Sequence, residues 1–125
     1  MRKPVLGREA ASEDLGELDL FEVERPVRCT FETEELQSLC PGVPGIQPDI
    51  YRAVIDYVAR THAIESKSLK LWLVTFRDRR IFAEHLAAEI GRRIEHLDGL
   101  ELVEVVLTQN VRGGLRETVR YPAST

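Results

Sequence analysis

Val27, Cys29 and Phe31 alternate with Arg28, Thr30 and Glu32, the period of two that predicts a half-buried strand. Ile50 to Ala59 is rich in Ile, Val, Tyr and Ala. Its periodicity alone fits a buried strand or a helix, and its β-branched and aromatic content favours a strand. Between these two runs, Leu39 to Asp49 holds three prolines and two glycines, which predicts a stiff, turning loop. After a short polar connection, Arg60 to Ala63, the period changes. Leu69, Trp72, Leu73 and Phe76 recur at the spacing of one helical face, and Ser66 stands where a helix cap is expected. The charged break Arg77-Asp78-Arg79-Arg80 separates this helix from a second apolar stripe, Phe82, Leu86, Ile90, Ile94 and Leu97. That stripe predicts a helix stopping at Asp98-Gly99. Leu102 to Val111 reads as a strand, Gly113-Gly114 as a turn, and Leu115 to Tyr121 as a last strand ended by Pro122.

The order strand–strand–helix–helix–strand–strand predicts an α+β domain, a four-stranded antiparallel sheet with two helices on one face. Residues 1–24 are expected to form a polar N-terminal arm, a loose tail docked at its end through Leu15, Leu18, Leu20 and Phe21. Residues 25–125 form the single domain. At 125 residues, 43% hydrophobic and 30% charged, the chain has the composition of an ordinary globular protein rather than a disordered one. A net charge of −4 argues against a protein built chiefly to grip nucleic-acid backbone. Cys29 falls with the apolar set of its strand and reads as a core thiol, whereas Cys40 lies in the proline-rich loop. Two cysteines make no disulfide scaffold, and no Cys/His cluster has zinc spacing, so no metal is expected. No apolar leader follows Met1-Arg2-Lys3, and no run approaches the length of a membrane span; a cytoplasmic protein without membrane contact is the expectation.

The densest chemistry lies in Glu65-Ser66-Lys67-Ser68-Leu69-Lys70-Leu71-Trp72. A carboxylate, two hydroxyls and two ammonium groups meet the start of a helix, where free N–H groups and the dipole attract anions. Such a start could hold a polar heterocycle beside a phosphate. A solvated helix face is the plainer reading of the same residues. The eight-residue motif resembles the signature of the 7-cyano-7-deazaguanine reductase (QueF) family of nitrile reductases. The resemblance covers about residues 27–121, most densely 38–49, 64–84 and 112–114.

The resemblance implies the tunnelling fold, in which several copies join their sheets into a ring-like homo-oligomer with active sites between subunits. It also implies a reaction. A cysteine in a Cys-Pro loop attacks the nitrile carbon to form a thioimide, an aspartate gives a proton, and NADPH reduces the adduct to an aminomethyl group in queuosine biosynthesis. Cys40, in Leu39-Cys40-Pro41, stands at the nucleophile position, and Asp49, in Gln47-Pro48-Asp49, at the acid position. A nitrile is a weak electrophile, so the sulfur must attack as thiolate and the nitrogen needs a nearby acid. Ile64, Glu65, Ser66 and Glu84 are implied substrate contacts, with Glu84 accepting from the deazaguanine N–H groups. Ser66, Lys67, Arg112 and Gly113 match the positions that contact NADPH. The family's Phe-His-Glu is Phe82-Ala83-Glu84 here. The Cys-to-Asp loop is two residues longer than the family's and lacks its threonine. Three readings stand side by side. One is the reductase, acting on a small deazapurine nitrile and binding no nucleic acid. Another is a QueF-like amidinotransferase, which forms an amidine from the same thioimide without NADPH and acts on tRNA. The last is a non-catalytic deazapurine-binding module.

Overall fold

The structure, a computed structural model, describes residues 2–111 and 113–123. Strand β1 (Leu20–Glu22) precedes the long β2 (Val27–Leu39) and β3 (Pro48–Ala59), then the short β4 (His62–Ile64). Helix α1 (Ser66–Val74) runs into a 3-10 turn (Thr75–Asp78), and α2 (Ala83–Glu95), β5 (Leu100–Gln109) and β6 (Thr118–Tyr121) follow. The main sheet is antiparallel in the order β2-β3-β5-β6, and β1 pairs with β4 in a second, two-stranded sheet. The predicted α+β architecture holds, with this small sheet added where a polar connection was expected.

One face of the main sheet carries the core. Tyr51, Ala53, Ile55, Tyr57 and Ala59 of β3 are buried at alternate positions. They pack with Val105 and Leu107 of β5, Leu69 and Trp72 of α1, Phe76, and Leu86, Ile90 and Ile94 of α2. The other face is polar and held by cross-strand ion pairs, Arg28 with Asp56 and Arg52 with Glu32, the pairing expected of facing charges on a solvated sheet.

The first predicted strand continues well past Glu32. Its alternation breaks at Glu34-Glu35, and a bulge between Thr33 and Leu36 absorbs the break. The inward set therefore passes from Cys29, Phe31 and Thr33 to Leu36 and Ser38, and pairing resumes with Leu36 opposite Tyr51, which sets Ser38 opposite Asp49. An extra residue in one strand of a pair has this effect. The last strand is shorter than expected: Leu115 is exposed and only Thr118–Tyr121 pair with β5.

The cap of α1 also differs from expectation. Glu65, not Ser66, is the N-cap, its carboxylate accepting from the N–H groups of Lys67 (2.6 Å) and Ser68 (2.9 Å). Ser66 is the first helical residue.

The N-terminal segment is docked along most of its length rather than loose. Buried Asp14 stands 2.9 Å from Arg2 Nε and 2.7 Å from Arg8 Nη2, and Asp19 pairs with Arg2 at 2.6 Å. Asp19 then ties the arm to α1: its N–H donates to Ser68 Oγ (2.9 Å) and its carbonyl accepts from Glu65 N (2.8 Å). Hydrogen bonds from Arg8 and from the Ala11 N–H hold the Asp14 carboxyl well below the usual carboxylate range. Such a group stabilises the fold above its ordinary pKa of about 3.9 and ceases to do so as pH falls through the lower folded value. Asp14→Asn is therefore expected to lower the melting temperature by a constant amount from pH 5 to 7, with the gap to the parent narrowing below about pH 4. Thermal unfolding across pH 2–7 checks this; a gap unchanged down to pH 2 contradicts it.

Candidate functional site

The loop Cys40–Gln47 joins the paired ends of β2 and β3, so its two mouths are neighbours. The N–H of Cys40 donates to the Gln47 carbonyl (2.9 Å). Arg80 pins the loop from outside, donating to the carbonyls of Cys40 (3.4 Å) and Gly45 (2.7 Å). Cys40 is half-buried. A Cβ placed on Gly42 would stand 3.6 Å from its Sγ and 4.0 Å from Cε1 of Phe82. Thiol and ring thus border the same small space above Gly42. Asp49 is buried and accepts from Gln109 Nε2 (3.1 Å). Beneath the loop, burial pushes the Tyr51 hydroxyl pKa up, and Asp49 and Cys40 lie near enough to add to the shift.

Glu84 sits in the first turn of α2, on the same end of the sheet. Its carboxyl lies close to that of Glu117, and this closeness, with some desolvation, raises Glu117 above the usual carboxylate range. Two close carboxyls resist being ionised together. Gly113 lies in the β5–β6 connection with φ +56°, a conformation in which the lack of a Cβ avoids strain. Arg112 lies outside the described residues. Asn110 N donates to the Ile50 carbonyl (3.0 Å), which places this connection beside the start of β3.

Ile64, Glu65, Ser66 and Lys67 form a second group at the other end of the sheet. The Ile64 N–H donates to the Tyr57 hydroxyl (2.9 Å) near the last residue of β3. Burial pushes that hydroxyl up to about 12. A strand rises about 3.3 Å per residue, so most of the 12-residue β3 separates this group from Asp49. Within one chain the structure brings together Cys40, Asp49 and Glu84 and keeps the Glu65 motif apart from them.

The start of α1 is also less open than its sequence implies. Glu65 occupies the N–H groups of Lys67 and Ser68, and Lys67 Nζ donates to the Arg8 carbonyl of the arm. Ser66 and Lys70 are exposed instead. They line a groove of about 440 Å³ between β2 and α1, floored by Phe31, Leu36, Ile55 and Leu69. Among the described residues no group of three or more His, Cys, Asp or Glu is placed to hold a metal, and no helix is long and apolar enough to cross a membrane.

Sequence reasoning missed Ser38, Tyr51, Arg80, Gln109 and Glu117. Arg80 reads as part of a charged break, and Glu117 as an outward position of a strand. Ser38 and Tyr51 become recognisable only once the bulge fixes which residues of β2 point inward.

Comparison with known proteins bears on the same residues. The family model described as QueF-like protein matches residues 48–124. A relative from Bradyrhizobium sp. (strain ORS 278), named NADPH-dependent 7-cyano-7-deazaguanine reductase, is 44% identical over 95 residues, covering 71% of this chain and 59% of that protein. One of the same name from Syntrophobacter fumaroxidans (strain DSM 10017 / MPOB) is 36% identical over 118 residues, covering 88% of this chain and 74% of that protein. The chain thus spans about three-fifths of the first and three-quarters of the second. Among solved structures, the archaeosine synthase QueF-Like in its apo form superposes with a TM-score of 0.56 at 19% identity. That match covers 79% of this chain and 93% of the other, and supports the tunnelling fold. The chain belongs to the QueF-like family.

Proposed function

We propose that the chain acts on the nitrile of 7-cyano-7-deazaguanine, with Cys40 as nucleophile and Asp49 as acid. The observation that carries this reading is the shared loop, which sets a half-buried thiol and a buried carboxyl at its two mouths above Tyr51. The Cys40 thiolate forms a bond to the nitrile carbon, an electron pair moves to nitrogen, and Asp49 protonates it, giving a thioimide. Reduction of the thioimide to the aminomethyl product takes two hydrides and two protons and breaks the C–S bond, returning the Cys40 thiol. Ser66 and Lys70 would hold the phosphates of NADPH, which would supply the hydrides. Glu84 accepts from the N–H groups of the base as a charge-assisted pair.

The Glu65 motif of the same chain is too far along β3 to complete this site, so Ile64, Glu65 and Ser66 would come from a second copy. A ring of subunits accounts for the separation. The long edge of β2 and the short β6 leave the sheet open to such joining.

A second reading has ammonia or another amine resolve the thioimide to an amidine. Two observations favour it: Ala83 stands where the family has histidine, and Lys67 is held by the arm rather than free for a phosphate.

Incubation with the nitrile is expected to add its mass to Cys40, and Cys40→Ala to abolish the adduct; an adduct-free parent chain sinks both readings. NADPH consumption with substrate present then separates them, ammonia-dependent product without it selecting the second. Glu84→Gln keeps the shape but removes the charge. It is expected to raise the half-saturating nitrile concentration about tenfold, the worth of roughly one charge-assisted hydrogen bond. Titration of the initial rate checks this, and an unchanged value removes Glu84 from the base-binding role.

A further inference from the structure

Ser38 and Tyr51 are fully buried, on adjacent strands beneath the Cys40 loop. Ser38 Oγ lies 3.1 Å from the Tyr51 hydroxyl and 3.3 Å from the Ile81 carbonyl oxygen. A carbonyl only accepts and a serine has one hydroxyl proton, so Ser38 donates to Ile81 and Tyr51 donates to Ser38. The relay thereby ties three segments. Ser38 stands two residues before Cys40, Tyr51 two after Asp49, and Ile81 three before Glu84. Backbone bonds from Leu39 N to the Arg79 carbonyl (2.8 Å) and from Ile81 N to the Leu39 carbonyl (3.2 Å) run beside it. Phenylalanine and alanine would fill the same core without the cost of burying two hydroxyls, so the pair has more to do than pack.

The geometry points to Tyr51 and Ser38 as positioning residues that fix Cys40, Asp49 and the start of α2 relative to one another through the hydroxyl relay onto the Ile81 carbonyl. This rests on the reading of Cys40 as nucleophile. Neither residue borders the space above Gly42; both act through placement, to which attack by a fixed nucleophile is acutely sensitive.

The test uses the full chain with Tyr51→Phe, Ser38→Ala and the double variant, Ser38→Ala carrying the argument should Tyr51→Phe fail to fold. Amide hydrogen exchange is expected to accelerate about tenfold at Leu39, Cys40 and Ile81, as loss of one buried hydrogen bond implies. With 7-cyano-7-deazaguanine at saturation, the rate of Cys40 adduct formation is expected to fall about tenfold while the half-saturating concentration stays put. The double variant should lose no more than the larger single loss, since both remove one relay. Ile94→Val, which trims the core near the opposite end of α2, serves as the stability control and should leave both readouts at parental values. Unchanged exchange in Tyr51→Phe overturns the inference. So does faster exchange with an intact adduct rate, or an Ile94→Val variant that reproduces both effects. A parent chain that forms no adduct fails the functional reading instead, and the exchange measurement alone then decides whether the relay holds the three segments.

Discussion

The register of β2 on β3 is the constraint from which the candidate site follows. Because a bulge at Thr33–Leu36 restores pairing with Ser38 opposite Asp49, the chain leaves β2 and enters β3 at neighbouring points. The eight residues between can then close into a loop fastened by the Cys40 N–H and by Arg80. A slip of β3 by one residue would turn Tyr51 and Asp49 to the solvated face and bring Arg52 and Ile50 into the core. The burial of Tyr51, Ala53, Ile55, Tyr57 and Ala59 opposes that slip at every second residue. The same hydrophobic alternation that builds the core therefore aims the polar residues beneath the loop.

The start of α1 obeys a different rule. A helix leaves its first N–H groups without partners, and any anion can satisfy them. Here the chain's own Glu65 does so, while the Asp19 carbonyl of the arm accepts from the Glu65 N–H and the Arg8 carbonyl accepts from Lys67 Nζ. The arm, α1 and the β1–β4 ribbon thus form one polar cluster, with Arg2, Arg8, Asp14 and Asp19 at its centre. An exposed ion pair adds little to stability. Asp14 is fully buried, and taking its charge out of water is tolerable because two guanidinium groups and a backbone N–H meet it.

Much of this architecture was legible in the sequence, and the exceptions have physical causes. The two helices announce themselves because Leu69, Trp72 and Phe76, and then Leu86, Ile90 and Ile94, keep one spacing, and all six are buried. β3 was recognisable by composition. The second half of β2 was not, because two adjacent glutamates hide a bulge and the inward set changes parity there. β1 and β4 pair only three residues each, too few for a period to show. At the site, Cys40 and Asp49 stood out by their prolines and by likeness to a family motif. Arg80, Gln109 and Glu117 reach the loop only through tertiary contacts, for which neighbouring sequence carries no signal. Glu65 stands out within its motif, but serine is the commoner cap, so the sequence points to Ser66 and only geometry shows that the Glu65 side chain reaches back.

The two polar groups at opposite ends of β3 have different relations to the core, and this bears on how a complete site could be built. The Cys40 end is supported from below by buried hydroxyls and bordered by exposed apolar residues, Ile46, Phe82, Val111 and Leu115. The Glu65 end is closed by the arm but opens sideways into the groove between α1 and the free edge of β2, whose floor is apolar and whose rim carries Ser66, Lys70 and Glu35. One end thus has a thiol and a carboxyl with little enclosure, and the other has enclosure without a thiol. On the proposed reading a nitrile adduct needs both, because a developing charge on nitrogen is best stabilised in a dry, fixed setting. The rigid length of β3 keeps the two ends of one chain apart, and the apolar rim around the Cys40 loop is the exposed surface that the proposed second copy would cover.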